Sequence, residues 1–188
     1  MACRYEMRFT GSGGQGVILA SVIMAEAAVM AGKVTVQSQS YGPEARGGSS
    51  KAETVVSDSE IYFTKVTHPN FLLALTQSAL DKYGFDTAAG AVILIDDELN
   101  PEKCPDTAKV VSLPIISTAK TKVGKAMTAN VVAVGAINAL LGLFDEEVLQ
   151  KAVWRHIPKG TEELNGKALT AGKELISEEL AAKYKVEL

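Results

Sequence analysis

Residues 4–36 of the chain read RYEMRFTGSGGQGVILASVIMAEAAVMAGKVTV, and this stretch decides the fold. Arg4 to Thr10 predicts a short strand that runs directly into a glycine-rich turn. Gln15 to Ala31 predicts a helix, with Gly32 where a helix commonly ends, and Val34 to Val36 predicts a second strand. A strand, a glycine turn, a helix and a strand within about 30 residues form a βαβ unit, so we expect an α/β protein.

Further strands and helices are predicted along the chain. Phe71 to Leu75 and Ala91 to Ile95 are continuous apolar runs, which is the pattern of strands covered on both faces. Gln77 to Tyr83 predicts a short helix between them, and Lys109 to Leu113 predicts another strand. We therefore expect a three-layer, Rossmann-like and mostly parallel sheet with helices on both faces.

A hairpin insertion is expected in the middle of the sequence. Ala52 to Ser57 and Ile61 to Val66 have the residue types of two strands, and Asp58 and Ser59 supply the turn between them. This pattern predicts two antiparallel strands added to the parallel sheet.

The C-terminal part, residues 130–188, is expected to be helical. Asn130 is predicted to cap a helix that runs to Leu141 without any charged side chain, and a helix that is apolar all round is buried. Acidic residues open two further helices at 145–147 and 161–163, and Gly166 and Gly172 are candidate breaks in the second of these. At 188 residues the chain has the size of a single domain, residues 1–188.

Composition excludes several classes of function. The formal net charge of −3 argues against a nucleic-acid-binding protein, which needs clustered Lys and Arg to neutralise phosphates. Cys3 and Cys104 are expected to be free thiols, and a cubane iron–sulfur cluster needs four cysteine ligands. His68 and His156 have no partner at metal-ligand spacing, so no metal site is predicted. Without a signal-peptide pattern or a membrane-length apolar run, the expected location is the cytoplasm, away from membranes.

The glycine-rich turn is the first candidate binding element. Its consecutive residues match the pattern G-x-G-x-x-G and are Gly11, Ser12, Gly13, Gly14, Gln15 and Gly16. Such a turn lets backbone N–H groups and a helix N-terminus approach a phosphate. The alternative is that these glycines only form the turn. A nicotinamide dinucleotide is not favoured, because Val36 to Gln39 offer no acidic partner for a ribose.

The long polar loop at residues 38–50 is the second candidate binding element. Its candidate ligand-binding residues are Ser40, Tyr41, Gly42, Glu44, Arg46 and Gly47. Arg46 is suited to bidentate binding of a phosphate or carboxylate, and the alternative is an isolated surface pair between Glu44 and Arg46. Since both glycine-rich segments follow strands, both are expected at one edge of the sheet.

The two segments together resemble a known family. GSGGQGVILA at residues 11–20 and QSYGPEARGG at residues 39–48 are similar to the gamma subunit of 2-oxoacid:ferredoxin oxidoreductases. The 2-oxoglutarate branch, also called 2-oxoglutarate synthase, is the most similar. The resemblance covers most of the chain, and the second string is its specific part. Many relatives carry a bulkier residue at the position of Ser12 and an Asp at the position of Asn70. Because of the difference at Ser12, the ligand contacts of relatives are not transferred in detail to this residue.

The resemblance implies a role within a larger enzyme. These complexes oxidise a 2-oxoacid with coenzyme A to an acyl-CoA and CO₂, and they pass the electrons to ferredoxin. Thiamine diphosphate and iron–sulfur clusters are expected on partner subunits of alpha and beta type, with a delta-type subunit as a further candidate. The resemblance implies that this chain holds no tightly bound cofactor and no catalytic residue, helps to position the co-substrate coenzyme A and is inactive alone.

Two alternatives to this role remain open at the level of sequence. The first alternative is a stand-alone nucleotide-binding oxidoreductase that uses residues 11–16. The second is a purely structural scaffold subunit. The missing acidic residue after the second predicted strand counts against the first alternative. The apolar helix at 130–141 fits a core or an interface equally well, so it does not distinguish a subunit that positions coenzyme A from a structural scaffold.

Overall fold

A six-stranded mixed sheet forms the centre of the protein. The computed structural model describes residues 4–40 and 49–186. The strands, in spatial order β2-β3-β1-β4-β5-β6, are β1 (Arg4–Ser12), β2 (Val34–Ser40), β3 (Ser49–Ser57), β4 (Phe71–Ala74), β5 (Val92–Asp96) and β6 (Lys109–Leu113). Three pairings are parallel, β1 with β4, β4 with β5 and β5 with β6, while β3 is antiparallel to both β1 and β2.

Helices cover both faces of this sheet. They are α1 (Val17–Met30), α2 (Gln77–Tyr83), α3 (Ile115–Thr118), α4 (Ala129–Leu141), α5 (Glu146–His156), α6 (Glu162–Lys173) and α7 (Glu178–Tyr184). A π-helical turn over Ala119–Val123 and a 3-10 turn over Ala126–Thr128 connect α3 to α4. None of the helices in the described ranges is both long and apolar enough to cross a lipid bilayer.

Alternating side chains of the strands divide the apolar residues between two clusters. On one face, Phe9 and Leu73 belong to the large core that includes α1 and α4. On the other face, Leu72 and Ile93 form a smaller cluster with Leu80 of α2. This arrangement of helices, sheet and helix confirms the predicted three-layer α/β fold.

The predicted hairpin is wrong in its pairing partner. Residues 61–66 form no strand. Instead, β3 pairs with β2, the strand that precedes it in the chain, and with β1 on its other side. Since β1 and β2 occupy both edges of β3, no backbone hydrogen-bonding groups remain there for a further strand. β3 therefore lies between β1 and β2, and the predicted βαβ unit is split by this one strand.

The segment after β3 is held across the α2 face of the sheet by Arg8. The Arg8 side chain is 3% exposed and forms an ion pair with Glu53, with 2.8 Å between Nε and Oε1. Its Nη2 donates to the carbonyl oxygen of Val66 at 3.0 Å, and its Nη1 donates to that of Asp86 at 3.3 Å. A buried cation needs such partners, so Arg8 anchors an otherwise irregular segment.

The helical C-terminal part differs from the prediction in two details. Asn130 does not cap α4, because the helix begins at Ala129 and Asn130 is its second residue. Neither candidate glycine breaks α6, which is continuous to Lys173. At Gly172 an added Cβ would lie 1.9 Å from the carbonyl oxygen of Val132, so this glycine allows α6 to pack closely against α4.

Candidate functional site

The glycine loop, residues 11–16, joins β1 to α1 at the carboxyl edge of the parallel strands. Gly14 has φ 90° and Gly16 has φ 71°, and both lie in the left-handed region that favours glycine. At Gly11 an added Cβ would lie 2.6 Å from the Oε1 atom of Gln15. The backbone conformation therefore favours glycine at positions 14 and 16, while the Gln15 side chain occupies the space beside Gly11.

Gln15 supports this loop from within. The Oε1 atom of Gln15 accepts a hydrogen bond from the backbone N–H of Ser12 at 2.7 Å. Its Nε2 atom donates to the carbonyl oxygen of Leu75, just after β4, at 3.3 Å. Both ends of the amide form hydrogen bonds within the protein, so Gln15 holds the loop in place.

The remaining part of the loop is open. Gly13 and Gly14 are exposed, and a Cβ added at Gly13 would meet no atom within 4 Å. The first N–H groups of α1 have no acceptor within the helix and point towards the loop. An open depression of about 410 Å³ lies here, lined by Ser12, Gly14, Gly16, Val17, Ile18, Leu19, Val22 and Ser50. Partial positive charge and exposed backbone donors at this place suit an anion such as a phosphate.

The two ends of the second candidate element lie at the same edge. Ser40 is the exposed last residue of β2, and Ser49, the first residue of β3, is paired with Ser12 of the glycine loop. Ser40 is one of the six candidate binding residues of this element. The other five lie outside the described residues; they are Tyr41, Gly42, Glu44, Arg46 and Gly47.

Asn130 is a neighbour of the glycine loop whose position was not expected. Its side chain lies on Gly16, where an added Cβ would be 2.5 Å from the Nδ2 atom of Asn130. Gly16 is thus needed both for its φ angle and for this contact. The N-termini of α1 and α4 consequently lie side by side at the loop. A polar residue at the start of a charge-free helix was the only signal in the sequence.

The buried carboxylate at this edge of the sheet stabilises the backbone. Asp96, the last residue of β5, is 1% exposed, and its Oδ2 atom accepts a hydrogen bond from the N–H of Ile116 at 2.8 Å. Burial raises the pKa of Asp96, and hydrogen bonds from the N–H groups of Ile116 and Glu98 oppose that rise. Asp96 therefore fixes the start of α3.

Metal-binding and thiol chemistry find little support in the described ranges 4–40 and 49–186. No group of three or more His, Cys, Asp or Glu residues in these ranges is placed to hold a metal ion. Burial raises the pKa of the Cys104 thiol, and the negative charge of Asp81 adds to that rise. A thiol with a raised pKa is a weaker nucleophile at neutral pH.

A larger groove, about 660 Å³, lies between α4, α5, α6 and α7. Its lining comes from these helices and not from the sheet edge. The glycine loop and the start of β3 line the smaller depression instead.

Comparison with known proteins places the chain in a family. The model of the family described as Pyruvate ferredoxin/flavodoxin oxidoreductase matches residues 6–175. The 2-oxoglutarate synthase subunit KorC of Methanocaldococcus jannaschii is 43% identical over 178 residues, which are 93% of this chain and 95% of that protein.

Solved structures agree with this assignment. The gamma subunit of a keto/oxoacid ferredoxin oxidoreductase from Geobacter sulfurreducens is 47% identical, with a TM-score of 0.82 over 97% of this chain and 98% of that one. The 2-oxoglutarate:ferredoxin oxidoreductase of Magnetococcus marinus has the same fold at 20% identity, with a TM-score of 0.81 over 96% of this chain and 31% of that longer one. The predicted resemblance to gamma subunits is confirmed, and with it the role of a subunit in an oxidoreductase. The chain belongs to the pyruvate ferredoxin/flavodoxin oxidoreductase family.

Proposed function

We propose that this chain is the gamma-type subunit of a 2-oxoglutarate:ferredoxin oxidoreductase and that it helps to position coenzyme A. In this proposal residues 1–188 form a single gamma-type domain, and the glycine loop and the segment 41–47 contact the co-substrate. The observation that carries the proposal is the open glycine loop at the N-terminus of α1, beside the two ends of the second segment.

The choice of substrate rests on relatives. The protein of Methanocaldococcus jannaschii is named a 2-oxoglutarate synthase subunit, and its alignment spans nearly the whole chain. The Magnetococcus marinus enzyme is described with 2-oxoglutarate, coenzyme A and succinyl-CoA bound. Both favour 2-oxoglutarate as the 2-oxoacid and succinyl-CoA as the product of the proposed complex.

The chemistry of coenzyme A fits the two elements. Its pyrophosphate suits the exposed N–H groups of Gly13 and Gly14 and the positive end of α1. Its 3′-phosphate suits the planar guanidinium of Arg46, which is able to bind two phosphate oxygens at once. In this proposal the chain binds and orients the co-substrate, while partner subunits carry out the reaction.

The proposed partners are alpha- and beta-type subunits and, as a further candidate, a delta-type subunit. Thiamine diphosphate and the iron–sulfur clusters belong to those partners in this proposal, and ferredoxin receives the electrons through the complex. A cytoplasmic location stays a prediction from the sequence.

The test uses the assembled complex with two variants, Arg46→Ala and Gly13→Val. Losing one charge-assisted contact costs about 1.5–3 kcal/mol, so the KM for coenzyme A should rise about 10- to 150-fold in Arg46→Ala. The Gly13→Val change should act in the same direction because a side chain there blocks the approach of a phosphate to the backbone. The KM for 2-oxoglutarate should stay close to that of the wild type in both variants.

Two controls separate the alternatives. Lys151→Ala removes an exposed cation on α5, far along the chain from both elements, and should leave both KM values unchanged. Gel filtration must show that each variant still assembles, since a purely structural scaffold predicts dissociation instead. If both variants assemble and keep wild-type kinetics with coenzyme A, the proposed site is wrong. Micromolar binding of NADH by the isolated chain would favour the stand-alone oxidoreductase.

A further inference from the structure

Asn130 carries a buried amide that the fold leaves without a hydrogen bond. Its side chain is 5% exposed, and among the residues that the structure describes its amide forms no hydrogen bond. Buried polar side chains nearly always have a partner, because an unpaired one loses its hydrogen bonds to water on folding. The Asn130 amide therefore requires an explanation.

Two other buried asparagines show how this fold normally treats such groups. The Nδ2 atom of Asn138 donates to the carbonyl oxygen of Phe144 at 2.9 Å, and its Oδ1 atom accepts from the N–H of Phe144 at 3.0 Å. Asn165 donates to the carbonyl oxygen of Thr161 at 2.9 Å. Asn138 lies on the same helix as Asn130. This helix therefore carries one amide with hydrogen bonds at both its nitrogen and its oxygen, and one amide without a hydrogen bond among the described residues.

The free amide is not sealed inside the protein. Over the described ranges, the side-chain polar atoms that are both completely buried and unpaired are Oγ1 of Thr87 and Nε2 of His156. Neither amide atom of Asn130 is among them, so the amide retains some accessible surface. Asn130 does not itself line the depression, but Gly16, on which its side chain lies, does. It lies on Gly16, between the N-termini of α1 and α4. Two helix N-termini and an amide donor together form an environment for an anion.

We propose that the Asn130 side-chain amide is a ligand-binding group and that it donates a hydrogen bond from Nδ2 to an anionic oxygen of the molecule held by the glycine loop. This inference rests on the proposed function, in which that molecule is coenzyme A and the oxygen belongs to one of its phosphates. The bound phosphate supplies the partner that the protein itself does not provide.

The test compares Asn130→Ala with Asn138→Ala in the assembled complex. Asn130→Ala should raise the KM for coenzyme A about 10- to 150-fold and leave the KM for 2-oxoglutarate unchanged. The isolated full chain carrying Asn130→Ala should keep the urea unfolding midpoint of the wild type, because no internal hydrogen bond is lost. Asn138→Ala should behave in the opposite way, with a lower unfolding midpoint and an unchanged KM for coenzyme A.

A charge at the same position sharpens the test. Asn130→Asp keeps the shape of the side chain but places a negative charge beside the bound phosphate, so the KM for coenzyme A should rise more than in Asn130→Ala. The inference is overturned if Asn130→Ala lowers the unfolding midpoint as Asn138→Ala does and leaves the KM for coenzyme A unchanged.

The outcomes also separate this inference from the proposed function. If Arg46→Ala and Gly13→Val raise the KM for coenzyme A but Asn130→Ala does not, Asn130 is not a binding group and the proposed function stands. If none of the three variants changes it, both fail. Should the Asn130 variants not assemble, a structure of the wild-type complex with coenzyme A decides. A phosphate oxygen within about 3.2 Å of Nδ2 supports the inference, and a phosphate beyond hydrogen-bonding distance overturns it.

Discussion

The middle of β1 and its end treat polar groups in opposite ways. In the middle, the guanidinium of Arg8 is buried and its nitrogens bind Glu53 and the carbonyl oxygens of Val66 and Asp86. At the end, the loop exposes the backbone of Gly13 and Gly14 beside an open depression. Polar groups that hold this fold together are saturated, whereas those at the glycine loop are left available for a ligand.

The same contrast is visible between two hydroxyl groups on β1. Thr10 is completely buried and donates from Oγ1 to the carbonyl oxygen of Leu73 at 2.7 Å. Ser12 is partly exposed and lines the depression. The structural hydroxyl and the one that faces the candidate site are only two positions apart, so substitutions along this strand test the contrast directly.

The largest effect is expected at Arg8. Arg8→Met leaves the buried carboxylate of Glu53 with Lys51, at 3.1 Å, as its remaining cationic partner. Breaking a buried ion pair by removing one partner costs up to about 3–5 kcal/mol. We expect the free energy of unfolding of the isolated chain to fall by that amount, measured by urea denaturation followed by circular dichroism.

A double variant provides the control for this prediction. Arg8→Met combined with Glu53→Leu removes both charges and should recover a large part of the loss, since paired apolar substitutions of buried ion pairs are often nearly neutral. A single Arg8→Met variant as stable as the wild type would show that the contacts of Arg8 do not hold the segment after β3.

The next effect is expected at Gly16. Gly16→Ala places a side chain in a left-handed conformation, which costs about 1–2 kcal/mol, and its Cβ also meets the side chain of Asn130. A total loss of about 2 kcal/mol in unfolding free energy is expected. Gly13→Ala is the matched control, because its Cβ meets nothing within 4 Å and its φ is not positive. Equal losses for the two variants would contradict the distinction between turn-forming and ligand-facing glycines.

The smallest effect is expected from the two hydroxyl groups. Thr10→Val keeps the shape of the side chain but removes one buried hydrogen bond, which is worth about 1 kcal/mol of stability. Ser12→Ala removes a hydroxyl that has no hydrogen-bond partner among the described residues, and it should change the free energy of unfolding by less than about 0.5 kcal/mol. Chemical denaturation of both variants under identical conditions provides the measurement, and a larger loss at Ser12 than at Thr10 would reverse the comparison.

Most secondary-structure elements were predictable because they depend on local patterns. The glycine turn between β1 and α1, the apolar strands β4 and β5 and the short helix α2 all follow from periodicity, capping and turn residues. The partner of β3 was not predictable in this way. Strand pairing is non-local, and the residues that form the true hairpin are separated by a polar loop that resembles a binding segment.

The position of the candidate site in the fold was predictable from the sequence, but the residues that pack around it were not. The glycine pattern indicated an anion-binding turn, and the structure brings the ends of the second segment, Ser40 and Ser49, to the edge of the sheet that carries this turn. The inward-facing role of Gln15 and the contact between Gly16 and Asn130 depend on which elements pack together. No local pattern reveals such a contact between residues more than a hundred positions apart.

The sequence by itself determined the family, the α/β class and the glycine turn, because these depend on residue types at short fixed spacings. Only the tertiary structure decided which polar groups are saturated and which are free. Arg8 and Asn130 are both buried polar residues, yet one has partners from three other segments of the chain and the other has none among the described residues. Hydrogen-bond saturation depends on the packing of distant segments, and that packing exists only in the folded chain.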